Sequence, residues 1–418
     1  MTTKAASSKS VFGRRTALGM LGGAAAAAAF AGTSRTALSA NASIDVVHFF
    51  SGADHPMELV IRAFNQKNTG VTAVSRQEGT TYEAITQKAM AGIAAGRPPA
   101  VLTTGWKLAS FAKHTLGALD IRKVGAAGDA ILANYSDAAV KMVTVEGAVL
   151  GIPWALSTPV LYINMDLWRA AGLDPAKLPT TVEELYPNLA QLQQKTGKAA
   201  LVYEVNEWLP QAFIQNAGGD VLDAQGRPVM DSAEAIYGME KFVEPHRKGL
   251  WKPISISEMI TAFQSGALCT MVTSSARLSG VKAQTSFEIK LTKTPGLEGR
   301  PRRMNSGGNF LSVLARNSEQ QAASLEFLKF CGTAEAMELW LKTGYLNTTK
   351  HQLAVPAGHE AAYAQLADGL TPETVWPGAR GLEALKAHSD WISRVVNGQA
   401  SVADGMKGSK AAVSRLLA

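Results

Sequence analysis

Residues 155–175 read ALSTPVLYINMDLWRAAGLDP. A run of apolar β-formers, Val160 to Ile163, follows directly on Ser157-Thr158-Pro159 and stops at Asn164-Met165-Asp166, where an amphipathic helical pattern takes over. Two hydroxyls and a proline are an odd approach to a strand that reads as buried. Proline fixes φ and lacks an N–H donor, while the hydroxyls both donate and accept and need partners. Such an approach calls for a reason that the rest of the chain must supply.

The pattern on either side agrees. After Ser43, IDVVHFF is β-rich, and Met57, Val60, Ile61 and Phe64 then recur at helical spacing. TGVTAVSRQ predicts a second strand, YEAITQKAMAGIAAG a helix ending at Gly96, and AVLTTGW a third strand. Beyond this stretch, ALVYEV, LCTMVTS and FEIKLTKTPG read as strands separated by helical runs, with Asp231 as N-cap of the helix from 233. SGGNFLSVLA returns to strand, and two helical stretches close the chain, from 321 and from about 381. Strands alternating with helices imply βαβ units and a mostly parallel sheet. A length of 418 residues calls for two cores, yet no repeat or Ser/Pro-rich linker divides them. Two lobes exchanged through short crossings fit better than two domains in series.

The formal charge of +7 invites a polyanion-binding reading, but five of those charges lie in residues 1–42, at Lys4, Lys9, Arg14, Arg15 and Arg35, where there is no acid. The remaining +2 is no footprint for nucleic acid. Arg14-Arg15 before a weakly apolar Ala/Gly run, with Ala40-Asn41-Ala42 before Ser43, predicts a twin-arginine signal peptide over 1–42. No later stretch reaches the roughly 18–20 apolar residues that span a bilayer, so the expectation is a soluble periplasmic protein. Cys269 and Cys331, the only cysteines, lie in apolar strand-like and helix-like runs and read as two separate buried thiols. The sequence carries no nucleophile elbow, dinucleotide fingerprint, P-loop or CxxC, and its His residues lack metal-ligand spacing, so no enzyme, metal or cofactor is expected.

Taken in order, FFSGADHPMELVIRAFNQKNTGV, TYEAITQKAMAGIAAGRPPAVL, GIPWALSTPVLYINMDLWRAAGLDP, AFQSGALCTMVTSS, SGGNF and KTGYLNTTK resemble the extracellular solute-binding proteins that deliver ligands to ABC importers. STPVLYIN with AGLDP and TGYL is most similar to the branch that binds glycerol-3-phosphate and glycerophosphodiesters. The resemblance implies an α/β, two-lobed periplasmic-binding-protein fold with the ligand cleft between the lobes and three crossings, near Trp154–Pro159, Ser306–Gly308 and Lys342–Tyr345. One lobe would comprise 43–156 with 309–342, the other 157–308 with 343–418. It implies a monomer that docks on membrane permease subunits.

The same resemblance implies ligand contacts at Tyr82, Ser157, Ser274, Gly308 and Tyr345, with Trp208 as an aromatic of the second lobe. Hydroxyls and a glycine N–H can surround a phosphate without the dehydration cost of several buried cations. Two positions depart from the branch. An acidic residue that holds the glycerol end aligns with Trp106, and the phosphate-binding arginine aligns with Arg380 or, counting back from Gly398, beside Lys386. Indole donates one hydrogen bond and accepts none, so a ligand with a second moiety beyond the phosphate is expected. The rival ligand is a sugar or small oligosaccharide; an exported hydrolase is the remote alternative, disfavoured by the missing nucleophile–base pair.

Overall fold

The computed structural model describes residues 42–52 and 55–418, so the signal segment expected over 1–42 lies outside the described residues except for Ala42. Two sheets organise the chain. The first has five strands in the order Val71–Gln77, Ala42–His48, Val101–Gly105, Gly307–Val313 and Ile152–Ser157. Its first three strands are parallel, and Gly307–Val313 runs antiparallel to both of its neighbours. The second sheet has four strands in the order Ile289–Lys293, Pro159–Asn164, Leu268–Ser274 and Ala199–Tyr203. Helix Ser318–Cys331 packs on the first sheet and helix Val182–Thr196 on the second. The molecule is therefore α/β and two-lobed, with the cleft between the lobes.

Local chemistry accounts for the elements. Met57, Val60, Ile61 and Phe64 form the buried face of helix Pro56–Gln66, as their spacing predicts. Thr181 and Glu184 make a reciprocal capping box at the start of Val182–Thr196, which ends at Gly197 in the left-handed conformation. The helix Ala233–Arg247 differs from expectation. Its N-cap is Ser232, whose hydroxyl accepts from Ala235 N, whereas Asp231 pairs with Lys410 at 2.8 Å. Ser232 holds the extended backbone that a cap needs immediately before the first helical residue, and Asp231 stands one position too early.

The stretch 155–175 behaves as a crossing. Ser157 ends a fully buried strand of the first sheet and Pro159 begins a fully buried strand of the second, leaving only Thr158 between them. Asn164 then ends that strand and caps the next helix, accepting from both Asp166 N and Leu167 N. The second crossing lies between Asn305 and Gly307. Gly308 has φ +134°, and a Cβ there would sit 2.0 Å from the Ala155 carbonyl oxygen, so only glycine fits. At the third, Gly344 lies against the Ser275 carbonyl, and two residues on Leu346 N donates to Leu156 O at 2.7 Å. Residues 348 and 350 then bond to Pro153 O and Asn134 O, so this stretch rests on the first lobe before Leu370–Thr371 pairs with Met304–Asn305.

A buried crossing must find partners for every polar group. Thr158 Oγ1 donates to Asn305 O at 3.2 Å and accepts from Gln365 Nε2 at 2.6 Å. The same amide donates to Pro159 O at 2.7 Å, and its Oε1 accepts from Thr294 N at 3.0 Å. Gln365 is wholly buried. Replacing it with leucine leaves the buried Thr294 N–H without its acceptor and takes a donor from Thr158 and Pro159 O, and the expected loss is about 1–3 kcal/mol. Urea unfolding of Gln365→Leu should show a lower midpoint; an unchanged one would mean that the network does not stabilise the crossing.

Candidate functional site

Two tyrosines meet beside the crossings. Tyr82 is the first residue of helix Tyr82–Ala94, placed there by the Thr81 cap, and its hydroxyl accepts from Asn309 Nδ2 at 2.8 Å. Tyr345 belongs to the third crossing; its ring stacks on Trp340 at 5.1 Å between centroids, and Trp340 stacks on Trp154. Burial raises the pKa of both phenols, and they face each other closely enough that each shifts the other. Phe49 meets the Tyr82 ring edge-on, so the pair stands on an aromatic bed that follows the C-terminal end of the strand Ala42–His48. In open α/β sheets this is the edge at which ligands bind.

The backbone brings further expected residues to the same place. Ser157, 3% exposed, is in register with Gly307, and Ser274 is in register with Pro159 across the second sheet. The Ser274 hydroxyl accepts from Ala276 N, while its carbonyl accepts from Tyr162 Oη at 2.8 Å. Trp208 opens helix Trp208–Asn216 and donates from its indole to Ser306 O at 2.8 Å. Its ring covers Gly307, where a Cβ would lie 2.7 Å from the indole, so Trp208 braces the second crossing from the second lobe. Trp106, at the end of Val101–Gly105, is 2% exposed and belongs to the hydrophobic core. It presents no open flat face, and its buried indole N–H has no protein acceptor.

The charged residues differ from expectation. Arg380 pairs with Glu383 and Lys386 with Asp390 on the exposed surface of helix Gly381–Val396. A local carboxylate engages each cation one turn along its own helix, and neither bonds to the tyrosines. Two other cations sit within the interlobe region. Lys107 contacts Glu83 at 2.7 Å on the first lobe and Glu207 at 2.5 Å at the start of Trp208–Asn216. Burial works against its charge, but Glu207, Glu83 and Glu373 raise its pKa above the ordinary lysine value. Glu373 shows the converse: burial, with Glu207 and Glu83 nearby, pushes its pKa up to about 8 despite Lys107. Arg277, three residues beyond Ser274, donates from Nε to Thr273 Oγ1 at 3.0 Å and lies 3.7 Å from Glu204. Glu204 and Arg277 both act electrostatically on the Tyr345 phenol.

Lys107, Glu207, Glu373 and Arg277 were missed by sequence reading. Arg277 alone had an available signal, its closeness to Ser274 in TSSAR. Cys269 and Cys331 are both buried and unlinked. Among the described residues no His, Cys, Asp and Glu group could hold a metal ion, and no helix is long and apolar enough to cross a membrane. A surface hollow of about 500 Å³ bordered by Arg122, Asp129, Lys141 and Lys350 shares no residue with the tyrosine site.

Comparison with known proteins agrees with this architecture. Residues 60–368 match the model of a family described as bacterial extracellular solute-binding protein. The sn-glycerol-3-phosphate-binding periplasmic protein UgpB of Salmonella typhimurium is 28% identical over 324 residues, spanning 70% of this chain and 71% of that protein. Its Escherichia coli K12 counterpart is 27% identical over the same length. Among solved structures, UgpB from Mycobacterium tuberculosis in complex with glycerophosphocholine superposes with a TM-score of 0.76 at 20% identity, covering 90% of this chain and 98% of that one. Maltose-bound MalE3 from T. maritima gives 0.77 at 20% identity, covering 90% and 100%. The family match extends over most of the chain, and the relatives and superposed folds agree with it: this chain belongs to the bacterial extracellular solute-binding proteins.

Proposed function

We propose that the chain is the periplasmic substrate-binding protein of an ABC importer and takes a glycerophosphodiester or glycerol phosphate between two closing lobes. One observation carries the reading: Tyr82 and Asn309 of the first lobe and Tyr345 of the third crossing converge beside Ser157 and Ser274. That set offers several hydroxyl donors and an amide around one point, the chemistry that wraps a phosphate or a polyol. The lobes would be 43–156 with 309–342 and 157–308 with 343–418, and the protein would act as a monomer against its permease. Gly308 would contribute backbone and Trp208 its ring edge, while Trp106 would act through the packing beneath the site. The glycerophosphocholine and maltose of the superposed structures mark the two ligand classes to compare.

Charge favours the diester. A phosphate monoester carries about −1.5 to −2 near neutral pH, whereas a diester carries one negative charge. Glu83 and Glu207 share the single Lys107 nearby, which leaves that end of the site net negative. A second negative charge on the ligand is penalised there, while a neutral or cationic substituent is not. The same carboxylates could accept from sugar hydroxyls, which keeps a saccharide as the second reading. Calorimetry should find glycerophosphocholine tighter than glycerol-3-phosphate and maltose weakest, with scattering showing a more compact protein at saturation. Maltose binding alone would replace the phosphate reading; an unchanged scattering profile would overturn closure.

Lys107 joins the lobes, so its carboxylates tie stability to pH. A Glu373 pKa of about 8, against 4.5 for an ordinary glutamate, means that the folded protein keeps a proton which the unfolded chain has lost. Its contribution is full below 4.5 and is lost as the pH rises through about 8. The wild type should therefore lose melting temperature between about pH 5 and 8, and Glu373→Gln should lose less; parallel pH profiles would exclude Glu373 as the source.

Export is the remaining part of the proposal. Changing Arg14 and Arg15 to lysine should hold the precursor in the cytoplasm, as cell fractionation would show. Normal delivery of that variant would exclude the twin-arginine route.

A further inference from the structure

We propose that Arg277, rather than Arg380 or Lys386, supplies the positive charge that meets the ligand's anionic group, and that Glu204 is the positioning residue that holds it there. The inference rests on the reading that the ligand carries a phosphate. It follows from comparing the four cations by what already occupies each.

Lys107 is taken up. It lies within 2.7 Å of two carboxylates and has a third acting on it, so the cluster holds more acid than base. An anion brought there meets excess negative charge. Arg380 and Lys386 have side chains 53% and 74% exposed, each 2.6–2.8 Å from a carboxylate of its own helix. Solvent screens them, and binding a ligand would first break those pairs.

Arg277 is placed differently. Its side chain is 33% exposed, enough to reach a ligand and little enough that water does not screen it fully. Nε is spent on Thr273 Oγ1, and the nearest carboxylate oxygen lies at 3.7 Å, outside hydrogen-bonding range. A guanidinium has five N–H donors in a fixed fork, so the group is oriented through one edge while most of its donors remain available. Glu204 is occupied in turn. It is 6% exposed at its side chain, accepts from Asn206 Nδ2 at 2.9 Å, and takes a short hydrogen bond from Thr273 Oγ1. It offers Arg277 an electrostatic anchor without a close contact that would use up the fork. Thr273 serves both, donating to Glu204 and accepting from Arg277.

The direction of approach fits. Arg277 follows Ser274 at the end of Leu268–Ser274, and its charge is felt at the Tyr345 phenol, which faces Tyr82. An anionic oxygen among the two phenols and the Ser274 turn would lie before the fork of Arg277, with the acid-rich Lys107 cluster at the other end of the ligand. A phosphate monoester and a phosphodiester share this recognition and differ only in what extends toward that cluster.

The test uses the full mature protein and calorimetric titration with glycerol-3-phosphate, glycerophosphocholine and maltose. Arg277→Gln keeps a planar, hydrogen-bonding side chain and removes the charge. Its affinity for both phosphate ligands should fall by about ten- to a hundredfold, and its residual binding should depend less on ionic strength. Arg277→Lys should recover part of the loss. Glu204→Gln should weaken phosphate binding by a smaller factor while keeping the salt dependence, because the cation remains but is less well held. An unliganded melting temperature near that of the wild type confirms that the Gln variants are folded. If the wild type binds phosphate ligands and Arg277→Gln binds them equally well, or if Arg380→Ala carries the whole loss, the inference is overturned and the phosphate reading stands. If the wild type binds maltose and neither phosphate ligand, both fall together.

Discussion

Passing a backbone through the middle of a protein leaves polar groups with no water to satisfy them, and this chain does so at Thr158 between two fully buried strands. The side chain of Gln365 resolves the problem by bonding at once to Thr158, to the Pro159 carbonyl and to the Thr294 N–H. Asn305, on the second crossing, accepts from the same threonine. Two crossings far apart in sequence are thereby joined into one polar knot. Because a half-satisfied buried network costs more than an apolar one, the crossings are held to a narrow range of geometry. The residues that flank them, Ser157, Gly308 and Tyr345, inherit that precision.

Charge is distributed unevenly along the cleft. One group gathers Glu83, Glu207 and Glu373 around a single lysine, and another pairs Arg277 with Glu204. The first arrangement includes a carboxyl whose pKa burial raises to about 8; the second is fixed by Thr273. An elongated ligand, negative at one end and neutral or positive at the other, would match both.

Much of the fold was legible because its signals are local. The period of Met57, Val60, Ile61 and Phe64, the alternation of strand and helix, and the Ser-Thr-Pro approach to Val160 each need only a short window. The misplaced N-cap at Asp231 shows the limit of that method, since acid and hydroxyl compete for one position and backbone conformation selects Ser232. The charged groups were illegible for a different reason. Lys107 meets Glu207 at a separation of 100 residues and Gln365 meets Thr158 at 207, and no periodicity encodes such pairings. Resemblance proposed Tyr82, Ser157, Ser274, Gly308 and Tyr345 as contacts and Arg380 or Lys386 as the cation, and this chain places a nearby carboxylate beside each of those two cations.

The strand Gly307–Val313 lies between Val101–Gly105 and Ile152–Ser157, and a hydrogen bond between Thr104 and Ser312 joins positions 208 residues apart. This has a consequence for the order of assembly during synthesis. The second sheet draws all its strands from residues 159–293, so it can close while the first still lacks an inner strand. Until the ribosome has passed Val313, Val101–Gly105 keeps an unpaired, apolar edge of the kind that invites mispairing. The sheet whose sequence begins first is thus the last to be closed, and for that interval its exposed edge is where a chaperone would act.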